Sequence, residues 1–417
     1  MKIRNGTAAR LAVLALAAWE MSGASFAQTR LTLDDAIQQG LQARASLKAG
    51  SESIAVAKGL ERQVRLRPNP EFLFQNENLR PGQTYSRDVD TVAYLTQPLE
   101  LFGKRARRIA LARETVSRTQ AEYDLARMRV TGAIKLAYWA ARGAQADSEV
   151  LQASAANFQQ TVDYHAARFS AGAIAEQDLL RVRLEHERLK ISAGLASIEA
   201  HRALMALFKE MGRPANGVIV LTEPLDAPSG FEEKPFEAVL AERADAKLAR
   251  ADLVESEAKL RVEENAARPD VSVFGGYKRT QLPDTTSGVN TLIAGFQIGL
   301  PVSNRNQGNR EAAEAEVRRR RQLLAEVEAD VRAEYDAAID EYRMRRDEAV
   351  TALEPLGQQA REIERIANAA YAEGGAELLR LLDAERARID ADLAWTRGMA
   401  EYHQSIVRLE IAEGVEP

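Results

Sequence analysis

One junction, used twice, restricts what this chain can fold into: an extended run that turns at a proline into a very long helix. From Val89 to Leu99 the residues read VDTVAYLTQPL, β-branched and aromatic, closed by Pro98. The helical pattern LFGKRARRIALARETVSRTQAEYDLARMRV follows directly. About two hundred residues on, Asn290 to Pro301 reads NTLIAGFQIGLP, and after a Gly/Asn turn comes REAAEAEVRRRRQLLAEVEADV. β-Branched and aromatic residues fit a pleated surface, whereas proline removes a backbone donor and forces its predecessor extended. A strand feeding so long a helix is unusual in a compact soluble domain.

Taken in order, Thr32-Leu-Asp-Asp35 resembles a capping box, with Asp in place of the usual Glu. One helix is then expected through Ile37, Leu41, Leu47, Ile54 and Val56 to about Leu66, stopped by Arg67-Pro68-Asn69-Pro70. The first repeat spans 28–222, with strands at about 71–79 and 89–97 and long helices at about 104–168 and 175–211. Its first strand places Phe72 and Phe74 on one face and Gln75 and Glu77 on the other. A polar turn, LRPGQTYSRD, leads to a return strand with Val92, Tyr94 and Thr96 on one face. In the long helix Ile109, Val116, Tyr123, Val130 and Ala137 fall seven apart, a heptad seam with alanines beside it. Its length is on the order of 100 Å at about 1.5 Å per residue. The returning helix runs through Leu180, Leu184, Ile191, Leu195 and Ile198, and 215–235 reads as a connector.

The second repeat, 223–417, follows the same plan: a helix over about 236–266, strands at about 270–279 and 290–300, and long helices at about 309–371 and 377–412. Pro269 answers Pro68 and Pro301 answers Pro98 as strand–helix junctions. Val317, Leu324, Val331 and Ala338 continue the frame of Val116, Tyr123, Val130 and Ala137 at a shift of 201. Tyr371-Ala-Glu-Gly374 answers Phe169-Ser-Ala-Gly172 at a shift of 202. A frame, a turn and a proline stop duplicated together mark an internal repeat.

Residues 1–27 read as a signal peptide, with Lys2, Arg4 and Arg10, the apolar run LAVLALAAW, and small residues before a cleavage point at Ala27. Its removal takes the net charge from −5 to −7, which excludes a nucleic-acid footprint. There is no cysteine, hence no disulfide, thiolate metal site or lipid-anchored cysteine. No later apolar run reaches the roughly 20 residues of a membrane helix.

The strands, nine or ten residues each, suffice to cross an outer membrane when tilted. A sheet in lipid must close on itself, and four strands are too few, since small barrels have about eight. Three copies supply twelve. Two soluble hairpins would instead leave Leu292, Ala294, Phe296, Ile298 and Leu300 exposed. The helical hairpins continue the barrel as a hollow ring or stand as a solid stalk, according to which residues face inward.

These features resemble the TolC-type outer-membrane factors of tripartite efflux and type I secretion systems, over nearly the whole mature chain. RLRPNPEFLFQNEN and QPLELFGKRARRIALA look most like the cobalt–zinc–cadmium heavy-metal efflux branch. The resemblance implies a mainly α fold with a small β part. Long antiparallel helical hairpins form a periplasmic α-barrel, continuous with a twelve-stranded transmembrane β-barrel built by a homotrimer. It also implies a periplasmic adaptor, an inner-membrane proton-driven pump of the resistance–nodulation–division class, outer-membrane lipid around the barrel, and a Gram-negative outer-membrane location. The expected function is passive conduction of heavy-metal cations, the alternatives being a duct for organic compounds or type I secretion, or, in another class, a periplasmic coiled-coil adaptor.

The family places adaptor contacts at the hairpin tips, here Phe169, Gly172, Ala173 and Ile174, and Tyr371, Gly374, Gly375 and Ala376. Its multidrug and secretion members ring the tunnel entrance with two Asp, six and nine positions after the second tip Gly. Those positions are Arg380 and Asp383 here, so one acid is retained and one replaced. Arg380 is expected to pair with Asp178 or Glu176 as a gate latch.

No catalytic constellation, cofactor motif or phosphate loop is present, so no enzyme activity is expected. His165, His186, His201 and His403 have no partner at ligand spacing, and His165 reads as a solvated helix-face residue. Arg318–Arg321, flanked by Glu314, Glu316, Glu326 and Glu328, is a charged helix surface rather than a site for nucleic acid.

Overall fold

A computed structural model describes residues 29–79, 81–82, 89–215, 217–226, 233–281 and 288–415. The expected signal peptide, most of both strand-turn tips and part of the 215–235 connector lie outside them. The elements are β1 (Thr29–Leu31), α1 (Leu33–Ala43), α2 (Ala45–Val64), β2 (Glu71–Glu77), β3 (Asp90–Leu99), α3 (Lys104–Ser170), α4 (Glu176–Met211) and β4 (Ile219–Leu221). There follow α5 (Phe236–Glu242), α6 (Ala244–Ala266), β5 (Val271–Thr280), β6 (Val289–Ile298), α7 (Gln307–Glu348), a π turn (Ala349–Leu353), α8 (Glu354–Ala372) and α9 (Leu378–Glu413).

Thr32 caps α1, its Oγ1 accepting from the Asp35 N–H at 3.1 Å. The helix expected from there to Leu66 is broken at Arg44, whose backbone is extended. The cause is tertiary. Arg44 Nη1 donates to the carbonyls of Lys209 (2.7 Å) and Glu210 (2.9 Å), the orphan acceptors at the C-terminus of α4. The second half repeats the device. Arg243 breaks the expected 236–266 helix, is almost fully buried, and donates to the carbonyls of Ile411 and Ala412 at the end of α9. Asp245 and Glu334 neutralise it. The left-handed glycines Gly212 (φ +69°) and Gly414 (φ +67°) let both helix ends turn against these arginines.

The 67-residue α3 runs the length of the molecule, as does α7 with α8. Near the sheet α3 packs against α2 and α6, and further away against α4 and α9; α7 likewise packs on α6 and then on α9. The main core lies where the two levels meet, around Ile134, Tyr138, Leu207, Met211, Val239, Val331, Tyr342 and Leu409. A second cluster, including Phe158, Val182, Leu189, Leu381, Leu382 and Ile389, holds the hairpins towards their tips. Within the connector, β4 pairs in parallel with β1. Tyr138 Oη ties the pair to α3 by donating to the Leu31 carbonyl at 2.9 Å.

The expected 309–371 helix is interrupted by the π turn, which ends just before Pro355. Proline has no N–H for the carbonyl four residues back and its ring clashes there, so the helix widens by a residue. Leu353 is then directed onto Gly398 of α9, where even a Cβ would have no room.

The heptad positions Ile109, Val116, Tyr123 and Val130 are only half-buried. In α4 the expected stripe of Leu180, Leu184, Ile191, Leu195 and Ile198 is exposed throughout, and Leu179, Val182, Leu189 and Ala193 form the core side. The helix carries two apolar stripes, of which a single chain covers one.

The sheet order is β2-β3-β5-β6, all antiparallel. Its register puts Phe72 and Phe74 beside Leu95 and Ala93, then Gly275 and Tyr277, then Ala294 and Leu292. Val273 and Phe296 lie on this same face. The opposite face carries Glu71, Gln75, Glu77, Thr96, Ser272, Lys278, Thr291 and Gln297. Exposure of the first face is high: Leu292 89 %, Phe296 69 % and Phe72 68 %. Pro98 sits within β3 but beyond the end of β2, so its missing N–H interrupts no ladder on that side.

Candidate functional site: the hairpin tips and the sheet

Both hairpin tips are built by the same C-terminal motif. At the first, the Gly172 N–H bonds the Phe169 carbonyl (2.9 Å) and the Ala173 N–H that of Arg168 (2.9 Å). At the second, Gly374 bonds Tyr371 (3.1 Å) and Gly375 bonds Ala370 (2.8 Å). Each pair of bonds is a Schellman closure, with its glycine left-handed at φ +71° and +76°. Phe169, Gly172, Ala173, Gly374 and Gly375 are exposed, while Ile174, Tyr371 and Ala376 are half-buried.

The tips are joined by a pair that sequence reasoning misread. His165, expected in solvent, is completely buried. Its Nδ1 lies 2.7 Å from the Thr161 carbonyl and its Nε2 2.7 Å from Tyr371 Oη. The carbonyl can only accept, so Nδ1 carries the proton, and in the neutral ring Nε2 accepts from the tyrosine. Burial raises the Tyr371 pKa, which keeps the phenol a donor.

The gate candidates are not brought together within one chain. Leu378, Leu381 and Leu382 turn inward and fix the phase of α9, leaving Arg380 and Asp383 exposed. Among the described residues Arg380 makes no ion pair with Asp178 or Glu176. Asp383 lies 3.7 Å from Arg386. The contact that does join the hairpins here is Glu185 of α4 with Arg386 of α9, bidentate at 2.9 and 2.5 Å. Arg386 holds the buried Glu185 carboxyl below its ordinary pKa. Glu185 and Arg386 are 201 residues apart, close to the repeat shift, a signal that could have revealed the pair.

Just above, Arg388 binds Glu364 (3.0 Å) and Asp392 (2.6 Å) and reaches Ser154. Glu385 faces this group with a buried Oε2 that has no hydrogen-bond partner. Burial, then the charges of Glu364 and Glu185, push its pKa up to about 7 against the pull of Arg388. A cleft of about 700 Å³ opens between α3, α4 and α9, with Asp147, Glu185, Arg386, Asp390 and Arg397 on its walls. Among the described residues no cluster of three or more His, Asp or Glu could hold a metal ion. No described helix is long and apolar enough to cross a membrane.

A sheet with one apolar face, continuous with long helical hairpins, is the fold of outer-membrane channels with a periplasmic tunnel. Over 92 % of its length the chain superposes on the structure of CusC (TM-score 0.73, 18 % identity, 92 % of that chain). It superposes equally on the open-state MtrE outer membrane channel of Neisseria gonorrhoeae (TM-score 0.72, 20 % identity, 88 % of that chain). Residues 36–213 match the sequence profile described as outer membrane efflux protein. The cobalt-zinc-cadmium resistance protein CzcC of Cupriavidus metallidurans is 24 % identical over 381 residues, which is 91 % of this chain and 89 % of the relative. Nodulation protein T of Rhizobium leguminosarum bv. trifolii is 23 % identical over 91 % of this chain and 82 % of its own length. Over residues 36–213 the chain is thus similar to the outer membrane efflux proteins, a family of non-enzymatic channels.

Proposed function

We propose that three copies of this chain form a twelve-stranded barrel with a continuous helical tunnel. The tunnel passively conducts heavy-metal cations delivered by a periplasmic adaptor and a resistance–nodulation–division pump. The observation that carries this reading is the open four-stranded sheet, apolar on one face and continuous with the hairpins through β3 and β6. The exposed stripe of Leu180, Leu184, Ile191, Leu195 and Ile198 gives each copy an apolar flank for its neighbour. The metal cargo is supported by the likeness to CzcC. It is also supported by Asp383, which threefold symmetry would set as a ring of carboxylates favouring cations. The tips around Gly172 and Gly374 are the adaptor contacts. Co-expression with its adaptor and pump in a metal-sensitive host is expected to raise zinc, cobalt or cadmium tolerance. Unchanged metal tolerance beside raised tolerance of organic toxicants would replace the cargo and keep the channel.

Arg380, without an acid partner among the described residues of its own chain, pairs across the entrance with Asp178 or Glu176 of an adjacent copy. Charge reversal, Arg380→Glu, is expected to raise the conductance of the isolated channel in planar bilayers severalfold. Conductance equal to that of the unmodified channel would remove this role.

A further inference from the structure

At the level where strands give way to helices several cations stand without an ion pair among the described residues. Arg67, Arg107, Arg268 and Arg305 have no acid within 4 Å among the described residues, whereas Lys104 is held by Asp270 and Arg108 by Glu100. Beside them Leu66, Leu101, Phe102, Leu300 and Val302 are exposed. Phe102 sits at φ +58°, a backbone region aromatic residues rarely enter, with the Arg268 guanidinium 5.8 Å from its ring centre.

A cleft of about 570 Å³ opens at this level, lined by Arg67, Gln97, Leu99, Leu101, Arg105 and Ile109. Gln97 and Leu99 belong to the same sheet face as Leu95 and Phe72, so the cleft continues the lipid-facing surface. Arg67 makes no hydrogen bond or ion pair among the described residues. Arg105 gives Nε and Nη2 to the Arg65 carbonyl and leaves Nη1 free. The one acid at the cleft, Glu100, is ion-paired with Arg108 and stands 3.9 Å from Arg105.

We propose that this cleft binds an anionic phospholipid of the periplasm-facing leaflet. Arg67 and Arg105 hold the phosphodiester, and Leu99, Leu101 and Ile109 lie against the glycerol and upper acyl carbons. The volume suits a headgroup, and the two cations supply the charge complementarity that a zwitterionic lipid would not fully use. The inference rests on the sheet lying in the outer membrane and adds to that reading the lipid at its lower rim.

The test is native mass spectrometry of the full-length protein in detergent with equimolar dioleoylphosphatidylglycerol and dioleoylphosphatidylcholine. Phosphatidylglycerol is expected to be retained about tenfold over phosphatidylcholine, a preference that falls as salt rises. The Arg67→Gln/Arg105→Gln protein is expected to retain the two lipids equally. Arg129→Gln/Arg183→Gln, which removes two exposed arginines elsewhere, keeps the preference. Equal retention by the unmodified protein, or an undiminished preference in the double variant, overturns the proposal. Arg67→Gln alone removes no hydrogen bond or ion pair among the described residues, so loss of at least half the preference there decides the matter should the double variant not assemble. A water-soluble monomer in the same experiment would instead refute the membrane reading itself.

Discussion

Replacing Leu292 and Phe296 together by arginine is expected to abolish insertion into the outer membrane while leaving the helical hairpins folded. Both side chains stand on the apolar face of edge strand β6 and are the most exposed of its large apolar residues. An arginine facing lipid near the middle of a barrel wall costs about 2–4 kcal/mol. Two per chain in a threefold barrel bring the cost to about 12–24 kcal/mol, more than the whole stability of many domains. No core cluster contains either residue, so helicity by circular dichroism should be unchanged. The variant should be lost from the urea-resistant outer-membrane fraction. Gln297→Arg, one position away on the other face, is expected to insert normally. Normal insertion of the Leu292→Arg/Phe296→Arg protein would mean that this face does not meet lipid.

The second large effect concerns acid–base behaviour near the tips. Glu385 has a folded-state pKa of about 7 against an ordinary 4.5, so the folded chain holds a proton there that the unfolded chain has released. Its contribution is fully present below about pH 4.5 and is lost as pH rises through 7. Glu185 has the opposite sign: Arg386 lowers its pKa, and its contribution is present above the ordinary carboxylate value and lost as pH falls below it. The hairpins should therefore be most stable in mildly acidic solution and weaken towards pH 8. Glu385→Gln mimics the protonated group. After allowance for its partial exposure it is expected to stabilise each chain by about 2 kcal/mol at pH 8 and by only about 0.5 kcal/mol at pH 5. Thermal unfolding of the purified protein at the two values measures this. Equal shifts at both would show that Glu385 does not titrate in this range.

The fold class was legible because the strands advertise their own faces: Phe72 and Phe74 against Gln75 and Glu77 is a period-two pattern that no helix would use. Prolines and tip glycines likewise punctuate both halves at one spacing, and the left-handed Gly172 and Gly374 close the two tips alike. The helix breaks at Arg44 and Arg243 were not legible. Arginine is a good helix former, and what bends the chain is a set of carbonyls 165 or more residues away in sequence. Helix α4 misled because Leu180, Leu184, Ile191, Leu195 and Ile198 form as good a stripe as the true core residues Leu179, Val182 and Leu189. Periodicity states that a face is buried, not by what. His165 escaped because its burial depends on Tyr371, 206 residues away, whose position only the packed hairpins determine. The Glu185–Arg386 contact escaped likewise: whether Arg380 or Arg386 turns towards the first hairpin of the same chain is set by Leu381 and Leu382 entering the core.

In a single chain β2 and β6 each end the sheet with an unmatched ladder. Such edges recruit whatever strand they meet, and one or two copies cannot satisfy both. On the threefold reading no partial pore is stable: a lone or doubled ribbon either finds its last member or is discarded. Scarcity of the polypeptide would then lower the number of conduits in the cell wall without making any of them leak.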